Sequence, residues 1–399
     1  MEKMTKNCQL LLSISALTAI IAIFTDTFLV AHIISISVDT VSNVAIYFLI
    51  MYGSLALFYQ LFSPIIKKFN KLTFFKLGIF IRIPAVILLI LFSDKLLDYY
   101  WMVAILLGAS EGIYWVSYNS IRNELVASAK AKSFFVATSI LKRIVTIFLP
   151  ILFGLSIDFL SFEITCIILL VIISLEFIVS LFIKYEPIFS SHTYSLKKYF
   201  GAIRSNVKLF TPIFFDQYLN GFLQITTTLI TYFILLAYGT NTSLGIFGSI
   251  IGALSVLVSI WYLRKYSYKK SIFIWLAAIT GISMLVIVFN FSVLTIIIFN
   301  LVYQLANTFT ITIRSVQINN TIRSVKLHEY IVENMAITDL AIELGRILGY
   351  GVLLAVSLVS SPIFLQILIG VCSIIMALQI LVTGRLEKNF AEASVNNAK

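Results

Sequence analysis

The chain has 399 residues, of which 60% are hydrophobic and only 12% are charged. Because soluble globular proteins carry about 25% charged residues, this composition excludes a soluble globule and predicts an integral membrane protein. The formal net charge of +11 comes mainly from loop residues that set the orientation in the membrane, so a nucleic-acid partner is not needed to explain it.

Long apolar segments follow one another along the chain, and each can cross a bilayer as a helix, which takes about 20 residues. They do not alternate as the strands of a membrane β-barrel do. A cleaved signal peptide is the alternative for the first segment, but its apolar run is long and lacks a small-residue cleavage site. The segments predict twelve spans, at 9–34, 41–65, 73–93, 99–121, 133–157, 163–184, 210–236, 243–263, 271–290, 292–316, 333–358 and 361–384.

Lysine and arginine placement predicts the orientation of these spans. The N-terminus, the even-numbered loops and the C-terminal tail hold most of the 29 basic residues, whereas the odd-numbered loops hold only Lys95. By the positive-inside rule, both termini are cytoplasmic in a multi-pass protein of the cell membrane. Cys8, Cys166 and Cys372 lie far apart in or beside spans, which suggests neither disulfides nor a metal site.

The two halves of the sequence repeat each other. Three pairs of segments match in register: YNSIRNE (118–124) with INNTIRS (318–324), KRIVTIFLPILFG (142–154) with GRILGYGVLLAVS (345–357), and KKFNK (67–71) with RKYSYKK (264–270). The second pair aligns Arg143 with Arg346. The repeat predicts two pseudo-symmetric six-helix halves, 1–184 and 210–385, joined by a linker at 185–209 and followed by a tail at 386–399.

The linker contains an amphipathic segment, SLKKYFGAIRSNVKLF (195–210). One helical face carries Leu196, Tyr199, Phe200, Ile203 and Val207, while lysines and an arginine occupy the others. This pattern predicts a helix on the anionic cytoplasmic surface of the bilayer, and an ordinary solvated linker is the alternative.

This architecture resembles the major facilitator superfamily over nearly the whole chain. In that family the turn after the second span reads roughly G-x-x-x-D-R-x-G-R. The matching residues here are Ser63, Lys67, Lys68, Asn70 and Lys71, so a lysine stands at the acidic position of the conformational turn. The family's antiporter motif ends in G-P-x-x-G-G, and FLPILFG keeps only Pro150 and Gly154 of it. The resemblance implies a monomeric alternating-access carrier.

The fourth span places Glu111, Trp115, Tyr118 and Arg122 on one stripe. An acid without a basic neighbour in a low dielectric binds a proton near neutral pH, and the two aromatic rings can stack on a cargo. Pairing of Glu111 with Arg143 is the alternative, and both interpretations stay open. Gly108 and Gly112 lie beside Glu111 in a G-x-S-x-G pattern, which inside a span indicates close helix packing rather than a hydrolase elbow.

The eleventh span carries Asp339, Glu343 and Arg346 on one stripe. Each charge at the centre of a membrane helix costs about 2.5–3.5 kcal/mol, so we expect these groups to face the cavity between the halves. Asp339 is near the cytoplasmic end, where solvent reaches it. Glu343 and Arg346 can pair within their helix, as coupling and gating charges or as a structural salt bridge.

Other polar residues within spans complete the candidate set. Asp26 and Asp216 are further candidates for proton coupling, while Arg82 and Glu176 have no assigned role. Polar stripes on the seventh and tenth spans indicate cargo contact or, equally, hydrogen bonds between helices. The stripe residues are Gln217, Asn220, Gln224, Tyr303, Gln304 and Asn307.

The sequence therefore predicts an all-α secondary transporter without catalytic activity, metal or cofactor. The leading hypothesis is a proton-coupled exporter of a small amphipathic compound such as a drug, toxin or peptide. A proton-linked nutrient importer and a non-transporting sensor or accessory protein are the alternatives. The expected partners are the substrate, the proton and the lipid bilayer.

Overall fold

The structure is a computed structural model that describes residues 5–37, 40–125, 128–184, 193–265, 270–290, 292–324, 328–359 and 362–396. Within these ranges the backbone is helical nearly throughout and contains no strand. The predicted all-α class is confirmed. A helix suits a bilayer because its backbone N–H and C=O groups bond to one another within a single segment.

The first six predicted spans are all helical. A π-helical turn, Phe24–Phe28, joins the two helices of the first span. The helices are α1 (Lys6–Ile23), α2 (Leu29–Ile36), α3 (Thr40–Lys68), α4 (Lys71–Leu91), α5 (Leu96–Leu125), α6 (Ser128–Phe159) and α7 (Phe162–Leu181).

A short linker helix precedes the remaining spans, and the seventh span is interrupted at Leu223. The helices are α8 (Leu196–Ile203), α9 (Val207–Phe222), α10 (Gln224–Tyr238), α11 (Asn241–Lys265), α12 (Lys270–Phe289), α13 (Val293–Ser324), α14 (Ile331–Ser357) and α15 (Pro362–Asn396). Each predicted span thus corresponds to one helix or to one pair of helices.

Helix lengths agree with membrane crossing. Among the described residues, nine helical segments are long and apolar enough to span a bilayer. Three shorter apolar helical segments, Asn241–Leu257, Lys270–Ser283 and Leu294–Thr310, fall on the eighth, ninth and tenth predicted spans. Polar caps set several helix starts, since the side chains of Thr5, Asn70, Ser161 and Ser195 each accept a backbone N–H of the following turn.

The chain divides into two compact units. The first consists of Met1–Tyr194 and Tyr238–Gly252, and the second of Ser195–Ala237 and Ala253–Lys399. In the first unit, α5 packs against both α3 and α4, and in the second, α14 packs on α9 while α12 packs on α15.

The predicted glycine pair Gly108 and Gly112 lies where two helices approach closely, and glycines on other helices do the same. A Cβ at Gly108 would stand 2.2 Å from the carbonyl oxygen of Met51, so the backbones of α5 and α3 are in contact. On α14, a Cβ at Gly345 would stand 2.1 Å from the carbonyl oxygen of Tyr218 on α9. Close packing also holds at Gly112, Gly248, Gly252 and Gly349.

Candidate functional site

Three charged side chains from three helices meet inside the first unit. Arg82 lies on α4, Glu111 on α5 and Glu176 on α7. Arg82 Nη2 is 2.9 Å from Glu111 Oε1, and Arg82 Nη1 is 2.8 Å from Glu176 Oε2. Arg82 and Glu176 have 0% of their side-chain surface exposed, whereas the Glu111 side chain is 20% exposed. These three residues are called the arginine cluster below.

Neutral donors hold both carboxylates of the arginine cluster. Thr18 on α1 donates a hydrogen bond of 2.5 Å to Glu176 Oε1. The Thr18 hydroxyl is also 2.7 Å from the Tyr114 hydroxyl. Trp115 Nε1 donates to Glu111 Oε2 at 2.5 Å. Each glutamate therefore has one neutral donor in addition to the guanidinium, which fixes its orientation.

A close contact between α4 and α5 positions Arg82. A Cβ at Gly78, one turn before Arg82, would stand 2.7 Å from the backbone nitrogen of Tyr114. Ser110 Oγ donates to the Gly78 carbonyl oxygen at 2.7 Å, so the serine of the G-x-S-x-G pattern joins two helices. The Arg82 guanidinium then stands 4.4 Å from the centre of the Tyr114 ring, within cation–π range.

The arginine cluster contains one more acid than base. Two ionised carboxylates and one guanidinium sum to a net charge of −1, and within the described part of the chain no other charged side chain bonds to the cluster. The Glu111 side chain has exposed surface, whereas the Arg82 and Glu176 side chains have none. Glu111 is therefore the accessible member of the arginine cluster.

The basic partner of Glu111 differs from both interpretations that the sequence offered. The interpretation of Glu111 as an acid without a basic neighbour is wrong, and the neighbour is Arg82 rather than Arg143. Arg82 lies 29 positions from Glu111 and 94 from Glu176. No local spacing in the sequence indicates this cluster, because it depends on how α4, α5 and α7 pack together.

The second unit carries its own ion pair on α14, where Arg346 Nη1 bonds to Glu343 Oε1. The side chain of Glu343 is 1% exposed and that of Arg346 is 23% exposed. Asp339 is partly exposed, but its Oδ2 is buried and has no hydrogen-bond partner among the described residues. The packing of α9 explains this burial, since a Cβ at Gly221 would stand 2.0 Å from the Ile342 carbonyl oxygen.

Asp216 on α9 is fully buried in the second unit. Thr383 Oγ1 on α15 donates to Asp216 Oδ1 at 2.8 Å, and Gln379 Nε2 donates to the backbone oxygen of Asp216 at 3.4 Å. Asp216 thus links α9 to α15.

The predicted cargo-contact residues differ in exposure. Tyr118, Gln217 and Tyr303 are buried. The Tyr303 hydroxyl donates to the carbonyl oxygen of Leu223 at 3.1 Å, at the interruption between α9 and α10. The partly exposed residues are Trp115, Asn220, Gln224, Gln304 and Asn307.

The turn between α3 and α4 holds a buried charge contact. Lys71 is 4% exposed, and its Nζ bonds to Glu124 at the end of α5. Asn70 caps α4 by accepting a backbone N–H at 3.0 Å. Lys67 Nζ lies 6.0 Å from the centre of the Tyr194 ring. A lysine–glutamate pair between α4 and α5 is thus present although the family's acidic position is a lysine.

The remaining predicted residues lie in different settings. Ser63 is buried and donates to the Tyr59 carbonyl oxygen at 2.8 Å, whereas Lys68 is exposed. Asp26 is part of the π-helical turn of the first span and is partly exposed. Such turns are frequent at functional sites. Arg143 is partly exposed on α6.

The linker helix α8 packs on protein with part of its apolar face. Tyr199 and Ile203 are buried against Phe210, whereas Phe200 is exposed. The Tyr199 hydroxyl donates to the Asn334 side-chain oxygen at 2.8 Å. The linker helix is therefore attached to the second unit, and part of its apolar face stays exposed.

Several solved transporter structures share this fold. The nucleoside transporter NupG is similar at 12% identity and a TM-score of 0.68, covering 95% of this chain and 100% of that one. A peptide transporter of the POT family gives 11% identity and a TM-score of 0.69, with 96% and 97% coverage. A bacterial homologue of the iron transporter ferroportin gives 15% identity and a TM-score of 0.68, with 97% and 100% coverage. No protein-family model and no curated protein sequence matches the chain.

Proposed function

We propose that this chain, which has the fold of the major facilitator superfamily, is a proton-coupled secondary transporter that exports a small amphipathic compound by alternating access. The observation that carries the proposal is the arginine cluster, with two acids around one base. The structural neighbours include a nucleoside transporter, a peptide transporter and a homologue of the iron transporter ferroportin, which supports a transporter in general. Proton coupling, direction and substrate type are our inference.

The excess acid supports proton coupling. A buried ion pair that only joined helices would need one acid for each base, and every extra charge in a membrane helix costs about 2.5–3.5 kcal/mol. Uptake of one proton by Glu111 makes the cluster neutral and weakens its bond to Arg82. The protonation state of one accessible carboxyl thus changes an interaction that joins α4 to α5, which suits a step in a transport cycle.

The other charged groups take part as gating charges in this proposal. The Glu343–Arg346 pair, Arg143, Asp26 and Asp216 are candidates for this role. The Lys71–Glu124 contact at the cytoplasmic turn is the element that changes with conformation. In this proposal, the cargo is contacted by the partly exposed polar and aromatic residues Trp115, Asn220, Gln224, Gln304 and Asn307.

The test is transport by purified protein in liposomes with an imposed pH gradient, screened against toxic amphipathic compounds and nutrients. Glu111→Gln keeps the size of the side chain but cannot lose a proton. We expect this variant to carry cargo only down the cargo's own gradient. Asp98→Asn removes an exposed acid from the same helix and serves as the control. Accumulation by Glu111→Gln at the wild-type level would refute coupling at this residue.

The proposed orientation, with both termini in the cytoplasm, has an independent test. A cysteine introduced at Ser191, in the basic linker, should react with an impermeant maleimide only after the cells are opened. The three native cysteines are buried, so their background labelling should be low. Strong labelling of intact cells would reverse the topology.

A further inference from the structure

A histidine joins three parts of the first unit at one of its ends. The His32 ring, on α2, stacks flat on Phe162 at the start of α7, with ring centroids 3.6 Å apart and an interplanar angle of 6°. His32 Nε2 is 3.2 Å from the backbone oxygen of Ser93, in the short turn Ser93–Lys95 between α4 and α5. Because a carbonyl oxygen only accepts, Nε2 carries the proton of the neutral ring.

Glu163 completes this group of residues. The Ser93 hydroxyl donates to Glu163 Oε1, in the first turn of α7. Ser93 is 4% exposed, and it bonds through its backbone oxygen to α2 and through its hydroxyl to α7. Both bonds hold the turn between α4 and α5 in place. His32, Ser93, Phe162 and Glu163 are called the histidine node below.

The charged groups that face His32 are both acids. Glu163 from α7 and Asp94 from the turn act on the ring electrostatically. The charges of α3, which packs on α2, lie in its last turn. The π-helical turn, the turn before α5 and the first turn of α5 add the charged residues Asp26, Lys95 and Asp98. A proton on His32 therefore places a positive charge beside two carboxylates.

We infer that the histidine node is a pH-sensitive switch, which releases the turn between α4 and α5 from α7 when His32 takes up a proton. Histidine is the side chain whose charge ordinarily changes between about pH 5 and 8. The protonated ring gains a second N–H, on Nδ1, and a positive charge. It competes with the Ser93 hydroxyl for Glu163, because a bond between opposite charges is stronger than one from a neutral hydroxyl.

The exchange of partners changes which helices are joined. In the neutral node, Ser93 links the turn to both α2 and α7. In the protonated node, an ion pair between His32 and Glu163 joins α2 to α7, and the turn keeps only its bond to α2. The released turn connects α4 to α5, the helices that carry Arg82 and Glu111.

The switch goes beyond the proposed function, because it adds a response to the pH on one side of the membrane. The ends of the first and third spans and the start of the sixth meet at the histidine node. In the proposed orientation these ends face the outside of the cell. Acidification outside thus acts on the junction of α4 and α5, without a proton having to reach the arginine cluster.

The test is hydrogen–deuterium exchange of the full-length protein in lipid nanodiscs, at about pH 7.5 and about pH 5.5, on either side of the usual histidine titration. The reporter is the turn itself, where the Lys95 amide bonds to the Phe92 carbonyl oxygen at 3.0 Å. After correction for the intrinsic effect of pH, exchange in the turn should be at least about threefold faster at the lower pH. Exchange at the start of α7 should stay unchanged.

Three variants separate the switch from a general effect of acid. His32→Gln keeps a donor for the Ser93 backbone oxygen but cannot become charged, so the acid-induced rise should disappear. Glu163→Gln keeps an acceptor for the Ser93 hydroxyl but does not attract a cation, so the rise should shrink. Ser93→Ala removes the hydroxyl, and its turn should exchange fast at both pH values. His328→Gln, in the short turn before α14 of the second unit, is the control and should behave as wild type.

A second measurement covers the case in which a variant disturbs the fold. The chain has three histidines, so the His32 signal of histidine-labelled wild type can be assigned by its loss in His32→Gln. In wild type this signal should titrate between about pH 5 and 8, over the same range as the exchange of the turn. A His32 ring that does not titrate there, exchange in the turn that is independent of pH, or an undiminished rise in a folded His32→Gln would each overturn the inference. Neither measurement uses a cargo, so these results are independent of the transport assay.

Discussion

The charge clusters of the two units are built in different ways. The arginine cluster joins three helices, and two of its members are sealed from solvent. The pair on α14 joins two residues of one helix, and its arginine is 23% exposed. The bond between Glu343 and Arg346 lies within α14, whereas the bonds of the arginine cluster join α4, α5 and α7 directly. This difference indicates that charge changes in the first unit act on its packing more strongly.

The largest loss of stability should come from Arg82→Met. The methionine side chain fills a similar volume but leaves two acids around an apolar group. Removing one partner of a buried ion pair costs about 3–5 kcal/mol. We expect a marked loss of monodisperse protein and a lower melting temperature in detergent.

The matched control for this variant removes all the charges. The triple variant Arg82→Met, Glu111→Met, Glu176→Met should recover most of the melting temperature, because replacing a whole buried ion set by apolar side chains of similar volume is often neutral. A triple variant as unstable as Arg82→Met would show that packing of the arginine side chain, not charge, explains the loss.

Helical periodicity accounts for what the sequence could predict. Among the described residues, each of the twelve predicted apolar segments is helical. The length and hydropathy of a segment determine whether it can cross the membrane as a helix. Glu343 and Arg346 pair because one helix places residues three positions apart side by side. The arginine cluster could not be predicted, because it needs the relative rotation and depth of three helices. The π-helical turn at Phe24–Phe28 and the attachment of α8 also depend on tertiary contacts that sequence spacing does not encode.

A smaller effect is expected from Arg346→Met in the second unit. Glu343 loses its partner on α14, but Arg346 is 23% exposed, so this pair is less enclosed than the arginine cluster. We expect a destabilisation of about 2–3 kcal/mol, measured as a melting shift beside that of Arg82→Met. Glu343→Gln should rescue it in a double variant. A loss larger than that of Arg82→Met would contradict the comparison.

Glycine substitutions test packing without changing charge. Gly345→Ala places a Cβ against the Tyr218 backbone, and Gly108→Ala places one against the Met51 backbone. Overpacking offset by the better helix propensity of alanine should leave a net cost of about 1–2 kcal/mol in each unit. The matched controls, Gly351→Ala on α14 and Gly53→Ala on α3, have open space around the new methyl group and should be neutral or stabilising. Equal melting temperatures for test and control variants would contradict the close helix contacts.

The smallest effect concerns the linker helix of the second unit, through Tyr199→Phe. This change removes the hydroxyl that donates to Asn334 and should cost about 1 kcal/mol near neutral pH. Burial and the nearby Glu333 carboxylate raise the pKa of Tyr199 above its usual value. The neutral phenol is thus favoured in the folded state. Its contribution to the free energy of unfolding is complete below the pKa of tyrosine in the unfolded chain, about 10. That contribution is lost as the pH rises through the higher pKa of the folded state.

The melting temperatures of wild type and Tyr199→Phe should therefore differ at pH 7 and converge at strongly alkaline pH. Tyr238→Phe, at an exposed tyrosine in the last turn of α10, is the control and should keep the wild-type profile. A constant difference between wild type and Tyr199→Phe up to pH values well above about 10 would mean that the hydroxyl does not titrate in this range. No difference at pH 7 would mean that α8 is held by the packing of Tyr199 and Ile203 alone.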